Sequence, residues 1–318
     1  MHKRGALAGC VSTLAVGVLL TTAAATQGSV ADPVHICFEG TGNPELDIHY
    51  CSLAIEASGP ASVDRATLLA LRGRAYNAVV RHDRAIADFD AALKLNPLSA
   101  LALNNRGLAR HAKGVYGRAI RDFDAAIALF PRYYDAFRNR GTAHFFNGDP
   151  TTAAADYDRA IGIYGKDPAA FVLRGLARYF AGDPRAAVLD LEQARRMAYA
   201  YPYLGLWLFL ARRAGGGNGR EALRASHAAL EAGDWPEPLV ARVLGQGADE
   251  TVLRALAAMP VPSRAMRSVQ ARFFLGALAR LRGEAAAARR HFLAALVDDG
   301  ARPIEWAGAK AALARFGR

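Results

Sequence analysis

From Ala66 onward the apolar positions keep a helical rhythm, and the rhythm itself recurs. Leu69, Leu103, Phe137 and Phe171 are each followed four residues later by a glycine, and these glycines, Gly73, Gly107, Gly141 and Gly175, stand 34 residues apart. Twelve residues after the glycines come Ala85, Ala119, Ala153 and Ala187; sixteen after them come Phe89, Phe123, Tyr157 and Leu191; nineteen after them come Ala92, Ala126, Ala160 and Ala194. Such i, i+3, i+4 stripes mark the buried face of a helix. A glycine inside a helix costs about 1 kcal/mol relative to alanine, so four at one register predict close helix contact there, with the alanine twelve residues on as the facing small residue. Polar turns divide each unit in two, at His82-Asp83, Lys113-Gly114, Asn147 to Pro150 and Ala181 to Pro184. Asp149 and Asp183 are placed to cap the helices that their prolines begin. Pro97 and Pro131 close the first two units, where the next two have Gly165 and Tyr199. Each unit is thus read as a pair of antiparallel helices, and the low content of Val, Ile and Thr favours helix over strand.

A 34-residue unit with these columns resembles the tetratricopeptide repeat over Ala66 to Tyr201. Gly276, Ala288, Phe292 and Ala295 keep the same internal spacing as a further unit, 101 residues beyond Gly175 and one short of three repeats. The interval is read as two degenerate pairs: Tyr203 to Arg213 with Arg220 to Glu231, then a helix opened by Trp235-Pro236 and one capped by Asp249 and running to Met259, before Pro260 and Pro262 break the chain. Pro303 to Phe316 would cover the last apolar face, as a stacked array requires. The expected fold is an all-α tetratricopeptide-repeat solenoid of stacked antiparallel helix pairs with a C-terminal capping helix. Its expected parts are a signal peptide at 1–31, an N-terminal segment with a cysteine pair at 32–65, four repeats at 66–201, degenerate pairs at 202–268, and a final repeat with the capping helix at 269–318.

In such an array the first helix of each pair lines a concave face that receives extended peptides or partner helices. Positions one and four residues after each glycine give Arg74 and Asn77, Leu108 and His111, Thr142 and Phe145, Leu176 and Tyr179; positions two and three before add Asn104, Asn105, Arg138 and Asn139. The expected groove is basic and amide-rich at one end, aromatic and apolar at the other. Its asparagines could bond a peptide backbone or bridge neighbouring helices. Ala70 and Asp135 stand where a clamp for a terminal carboxylate would need lysines, which excludes that mode.

The order Leu206-Trp207-Leu208, Trp235-Pro236, Leu244-Gly245 ahead of Glu250, and Phe273-Phe274-Leu275-Gly276 resembles the NlpI-like envelope lipoprotein family. That resemblance implies a periplasmic adaptor, often dimeric, that brings cell-wall hydrolases and a processing protease together. The chain departs from it in lacking a usable lipid site.

The first residues read as an export signal: His2, Lys3 and Arg4, the apolar run Val11 to Leu20, then small residues to Thr26. Ala23 and Ala25 fit one cleavage site and Ser29 and Ala31 a second, and an uncleaved anchor over Gly5 to Ala25 is the competing reading. Cys10 precedes the apolar run, the wrong order for lipidation. An exported chain, placed in the periplasm or cell envelope and freed from the membrane by cleavage, keeps Cys37 and Cys51. Export favours a disulfide between them, with a zinc site shared with His35 and His49 as the alternative. The formal charge of +11 is mostly arginine, scattered without a basic run, and is read as solvated helix faces. Export argues against nucleic acid as the partner.

Recognisable catalytic signatures are lacking. Gly215 to Gly219 is not followed by the Lys-Ser or Lys-Thr of a phosphate loop, Gly245-Gln246-Gly247 has Glu250 where a third glycine would be, and both read as turns. His111 and His144 lie 33 residues apart, one short of the repeat, and His82, His227 and His291 read as solvated or locally packed. The expectation is a protein without catalytic activity, cofactor or metal, whose partners are other proteins or extended peptides. A structural subunit of an envelope complex and an enzyme with an unreadable motif are the competing classes.

Overall fold

The computed structural model describes residues 32–59, 63–228, 235–297, 302–314 and 316. The segment read as a signal peptide, residues 1–31, lies outside them. Among the described residues there are seventeen helices and no strand. Helices α1 (Pro33–Glu39) and α2 (Pro44–Ala57) form an N-terminal hairpin, each started by a capping side chain, Asp32 or Asn43, with proline in the first turn. The four repeats follow as α3 (Val63–Ala78) with α4 (His82–Leu95), α5 (Ala100–Ala112) with α6 (Tyr116–Leu129), α7 (Tyr134–Phe146) with α8 (Pro150–Ile163), and α9 (Pro168–Ala181) with α10 (Pro184–Arg196). Asp149 and Asp183 cap α8 and α10, accepting from the amides of Thr152 and Ala186 at 3.0 Å each. No described helix is long and apolar enough to cross a membrane.

The glycine column is where the two helices of a pair meet. A Cβ on Gly73 would lie 2.9 Å from Phe89, on Gly107 2.6 Å from Phe123, and on Gly276 2.8 Å from Phe292. The side chain against each glycine is therefore the residue sixteen on. The alanine twelve on, expected to face it, contributes its backbone carbonyl instead, at 3.1 Å for Ala153 against Gly141 and 3.2 Å for Ala187 against Gly175.

Between repeats, apolar clusters such as Phe89 with Ala102 and Ala109, and Phe123 with Ala143, are joined by charged contacts. Arg106, one residue before Gly107, forks onto Asp122 of its own second helix at 3.2 and 2.7 Å and reaches Asp90 of the preceding repeat at 2.7 Å. Arg140 does the same with Asp156 and Asp124, and Arg174 with Asp190 and Asp158, each with a contact of 2.6 Å to both carboxylates. Arg72 grips Asp88 twice at 2.8 Å, and Ser52 of α2 takes the place of the missing preceding aspartate. At the far end Glu192 receives Arg212 at 2.5 Å. These arginines are partly buried rather than the solvated charges expected. Burial works against their charge, but the hydrogen bonds to Asp122 and Asp90 outweigh it and hold the Arg106 guanidinium above its ordinary pKa.

Beyond the fourth repeat come α11 (Leu204–Ala214), α12 (Arg220–His227), α13 (Glu237–Leu244), α14 (Asp249–Ala257), α15 (Val261–Leu281), α16 (Ala285–Leu296) and α17 (Ile304–Leu313). Pro262 lies in the first turn of α15, so the prolines start a 21-residue helix that runs through the expected boundary at 268/269. Asp249 is the first residue of α14 and not its cap; its carboxylate binds Arg242 at 2.7 Å and His291 at 3.2 Å. The terminal helix α17 packs on α15 and α16 as a cap would, but it also touches α7 of the third repeat.

Two stability outcomes follow. Asp122→Ala should destabilise by about 2–3 kcal/mol because it removes the buried carboxylate shared by Arg106 and Arg110 and leaves both on Asp90, whereas Asp90→Ala, at a half-exposed carboxylate, should cost less than about 1 kcal/mol. Gly107→Ala gains helix propensity but drives a Cβ into the buried Phe123 ring, for a net loss of about 1–3 kcal/mol; Gly162→Ala, in open space, should gain about 0.5–1 kcal/mol. Denaturant melts of the four variants check both.

Candidate functional site

The first helices α3, α5, α7 and α9 lie side by side, and the residues expected to line a groove fall on them with very different accessibility. Arg74 is exposed on α3, and among the described residues it has no carboxylate partner. Leu108 is 37% exposed on α5. Arg138 is half-exposed on α7, 3.5 Å from Asp135 and over the Tyr134 ring. These three form the open part of the face.

The amides are engaged within the array. Asn77 donates to the Asn105 carbonyl at 3.2 Å, linking α3 to α5, and Asn139 donates to the Asn104 side chain at 3.0 Å, linking α7 to α5. Asn104 is only 4% exposed, so bridging between helices is the arrangement adopted here. Thr142 bonds the Tyr157 hydroxyl at 3.0 Å, inside its own repeat.

The aromatic end is closed, which corrects the expectation of an open apolar groove. Phe145 and Leu176 are 5% and 1% exposed. Phe145 packs against Phe180, Phe180 against Trp207 of α11 and Phe273 of α15, and Tyr179 against Trp207. Helix α17 lies over this cluster, with Gly308 so close that a Cβ there would sit 2.6 Å from Phe180 and 2.9 Å from Phe273. Apolar side chains on α9 that would otherwise meet water are covered by the chain's own C-terminal helices.

Two titratable groups border the covered region. His111 packs against Tyr116 and Phe146 with Nε2 unpartnered among the described residues, and burial lowers its pKa to about 4. Glu305, in the first turn of α17, is fully buried. One of its oxygens accepts from Tyr201 at 3.3 Å and from Trp207 at 3.4 Å, and the other is unpartnered among the described residues. Burial raises its pKa. No sequence pattern marked Glu305, because its partners Tyr201 and Trp207 are about a hundred residues away.

Cys37 and Cys51 are joined in a buried disulfide between α1 and α2, which removes the thiolates that zinc ligation by this pair would need, and His35 and His49 point outward. Among the described residues no group of three or more His, Cys, Asp or Glu side chains is placed to hold a metal ion. The side chain of His227 lies outside the described part of the structure.

The two groups give opposite pH dependences. A histidine with lowered pKa contributes stability that is present above about 6.5 and lost as the pH falls towards about 4; a glutamate with raised pKa contributes stability held at low pH and lost as the pH rises through its folded value. His111→Phe should flatten the acid limb of a stability–pH profile, and Glu305→Gln should flatten the decline on the other side. Denaturation followed by tryptophan fluorescence, with Trp207 beside Glu305, reads both.

Residues 70–116 and 112–168 match the family model of the tetratricopeptide repeat. No curated protein matches the chain significantly in sequence. Among solved structures, the chain is similar to pilF of Pseudomonas aeruginosa, with 15% identity and a TM-score of 0.55 over 71% of this chain and 96% of that one. It is also similar to YrrB, described as a TPR protein with an unusual peptide-binding site, with 19% identity and a TM-score of 0.51 over 60% and 95% of the two chains. The C-terminal part of a TPR repeat-containing protein from Cytophaga hutchinsonii covers 87% of this chain and 97% of its own, with 15% identity and a TM-score of 0.51. At these identities the likeness is one of fold, and it agrees with the repeat register and the stacked pairs: the chain folds as a tetratricopeptide-repeat solenoid, with the repeat's family model matched over residues 70–168.

Proposed function

We propose that the chain is a non-catalytic scaffold of the bacterial cell envelope that binds partner proteins through the open part of its first-helix face, between Arg74 and Arg138. The observation that carries this reading is the contrast along that face. The arginines that clamp the repeats are satisfied by aspartates, whereas Arg74, two residues beyond Arg72 on α3, is exposed and has no carboxylate partner among the described residues. An exposed cation at the position that Leu108 occupies in the next repeat suits a partner segment that mixes acidic and apolar side chains.

The envelope setting is supported by the basic and apolar residues at the start of the chain, by the disulfide, and by the short motifs shared with the NlpI-like adaptors. YrrB lends a precedent for peptide binding on this fold. In this reading the chain organises cell-wall hydrolases or a processing protease, and a homodimer would present two such faces.

Arg138 shares its charge with Asp135, so Arg74 is the cleaner position for a test. Arg74→Glu should weaken capture of partners from an envelope extract by about ten-fold, equivalent to about 1.4 kcal/mol, with the melting of the array unchanged. Arg138→Glu should do so less. Equal capture by both variants and the parent protein would contradict the proposed face, and turnover of cell-wall peptides by the purified protein alone would contradict the non-catalytic role.

A further inference from the structure

Helix α17 covers the aromatic cluster without filling the space around it. Its contact face consists of small residues, Ala307, Gly308, Ala311 and Ala312, because the Phe180 and Phe273 rings leave no room for a Cβ at Gly308. Two clefts remain, one on each side of the helix. The larger, about 390 Å³, is walled by Phe180, Phe273, Phe292 and Leu210, with Arg280 at its edge. The smaller, about 320 Å³, is walled by Phe145, Phe146 and Phe180, with Lys310 at its edge. Clefts of this size, with phenylalanine rings in walls that also carry polar backbone, fall in the range that binds small molecules.

The two clefts share one chemical recipe. Each is lined by rings and aliphatic groups, each includes a single cation, and neither includes a carboxylate, in a chain with 29 acidic residues. Among the described residues neither cation has an ion-pair partner. Arg280 lies over the Phe316 ring at 5.9 Å and Lys310 over the Trp306 ring at 5.7 Å, so both are held at an aromatic edge with hydrogen-bonding capacity to spare. The ends of first helices contribute the opposite polarity. Gly182, which caps the C-terminus of α9, lines the larger cleft, and Asn147, which caps that of α7, lines the smaller. Helix C-termini carry partial negative charge, but Pro184 and Pro150 bring the N-termini of α10 and α8 to the same walls, so these partial charges oppose each other and the cation at the edge is the full charge each cleft offers an anion.

We infer that each cleft binds a free single-chain carboxylate of the fatty-acid type, with its alkyl chain against the phenylalanine rings and its carboxylate on Arg280 or Lys310. A guanidinium can take both carboxylate oxygens and an ammonium offers a point charge, so the Arg280 cleft is the tighter of the two. Both cations are exposed and lie outside the repeat clamps, so reversing them leaves the fold intact.

Calorimetric titration of the full-length protein with monomeric dodecanoate tests this. Two sites should fill, dodecanol and dodecyltrimethylammonium should bind at least about ten-fold more weakly, and Arg280→Glu or Lys310→Glu should each remove one site while the melting profile stays that of the parent protein. Equal binding of the carboxylate and the trimethylammonium compound, two sites surviving in either variant, or no binding of dodecanoate would overturn the inference. Phosphatidylglycerol vesicles should neither bind nor compete; competition from them would overturn the free acid as the ligand in favour of a membrane lipid.

Discussion

Each arginine that precedes a repeat glycine from Arg106 to Arg174 holds two second helices at once, its own and that of the preceding repeat. This double grip sets the stagger between repeats, because the planar fork accepts two carboxylate oxygens in only one orientation. A partly buried charge is tolerated only when it is paired and hydrogen-bonded, so a slip of one repeat against the next would break the pairing on both sides. The clamp also explains where the array changes character. Ser52 closes it at the N-terminal hairpin and Glu192 with Arg212 at the far end. In the last unit Leu275 and His291 stand in the arginine and aspartate columns, and aromatic packing takes over around Trp207, Phe273 and Phe274.

The repeat was legible in the sequence because its columns are local and periodic: glycine, alanine and aromatic residues recur at intervals that a single helix pair dictates. The clamp was present in the same register, at Arg72, Arg106, Arg140 and Arg174 with Asp88, Asp122, Asp156 and Asp190. Reading helix charges as solvated overlooks it, and charge columns at the 34-residue period are the signal that reveals it. The closure of the aromatic end had no comparable signal. It depends on α17 returning to helices more than a hundred residues earlier, a matter of superhelix geometry that spacing does not encode. For the same reason Phe145 and Leu176, which count onto the first-helix face, are not available on it.

The first-helix face therefore has two halves with different physics. One is held by amide bridges between helices and leaves Arg74, Leu108 and Arg138 accessible. The other is aromatic, screened by α11, α15 and α17, and sealed at Glu305, whose burial links the cover to pH. A helical array built this way keeps its aromatic surface from non-specific association while leaving basic side chains exposed on the other half.

The division of that face is tested most directly by placing a photo-crosslinking amino acid, in cells, at Leu108 on the open half and at Leu189 on the exposed side of α10. The account predicts protein adducts from position 108 that diminish when Arg74 is changed to Glu, and few from position 189. Adducts confined to position 189, or adducts at 108 that ignore the charge at 74, would contradict it.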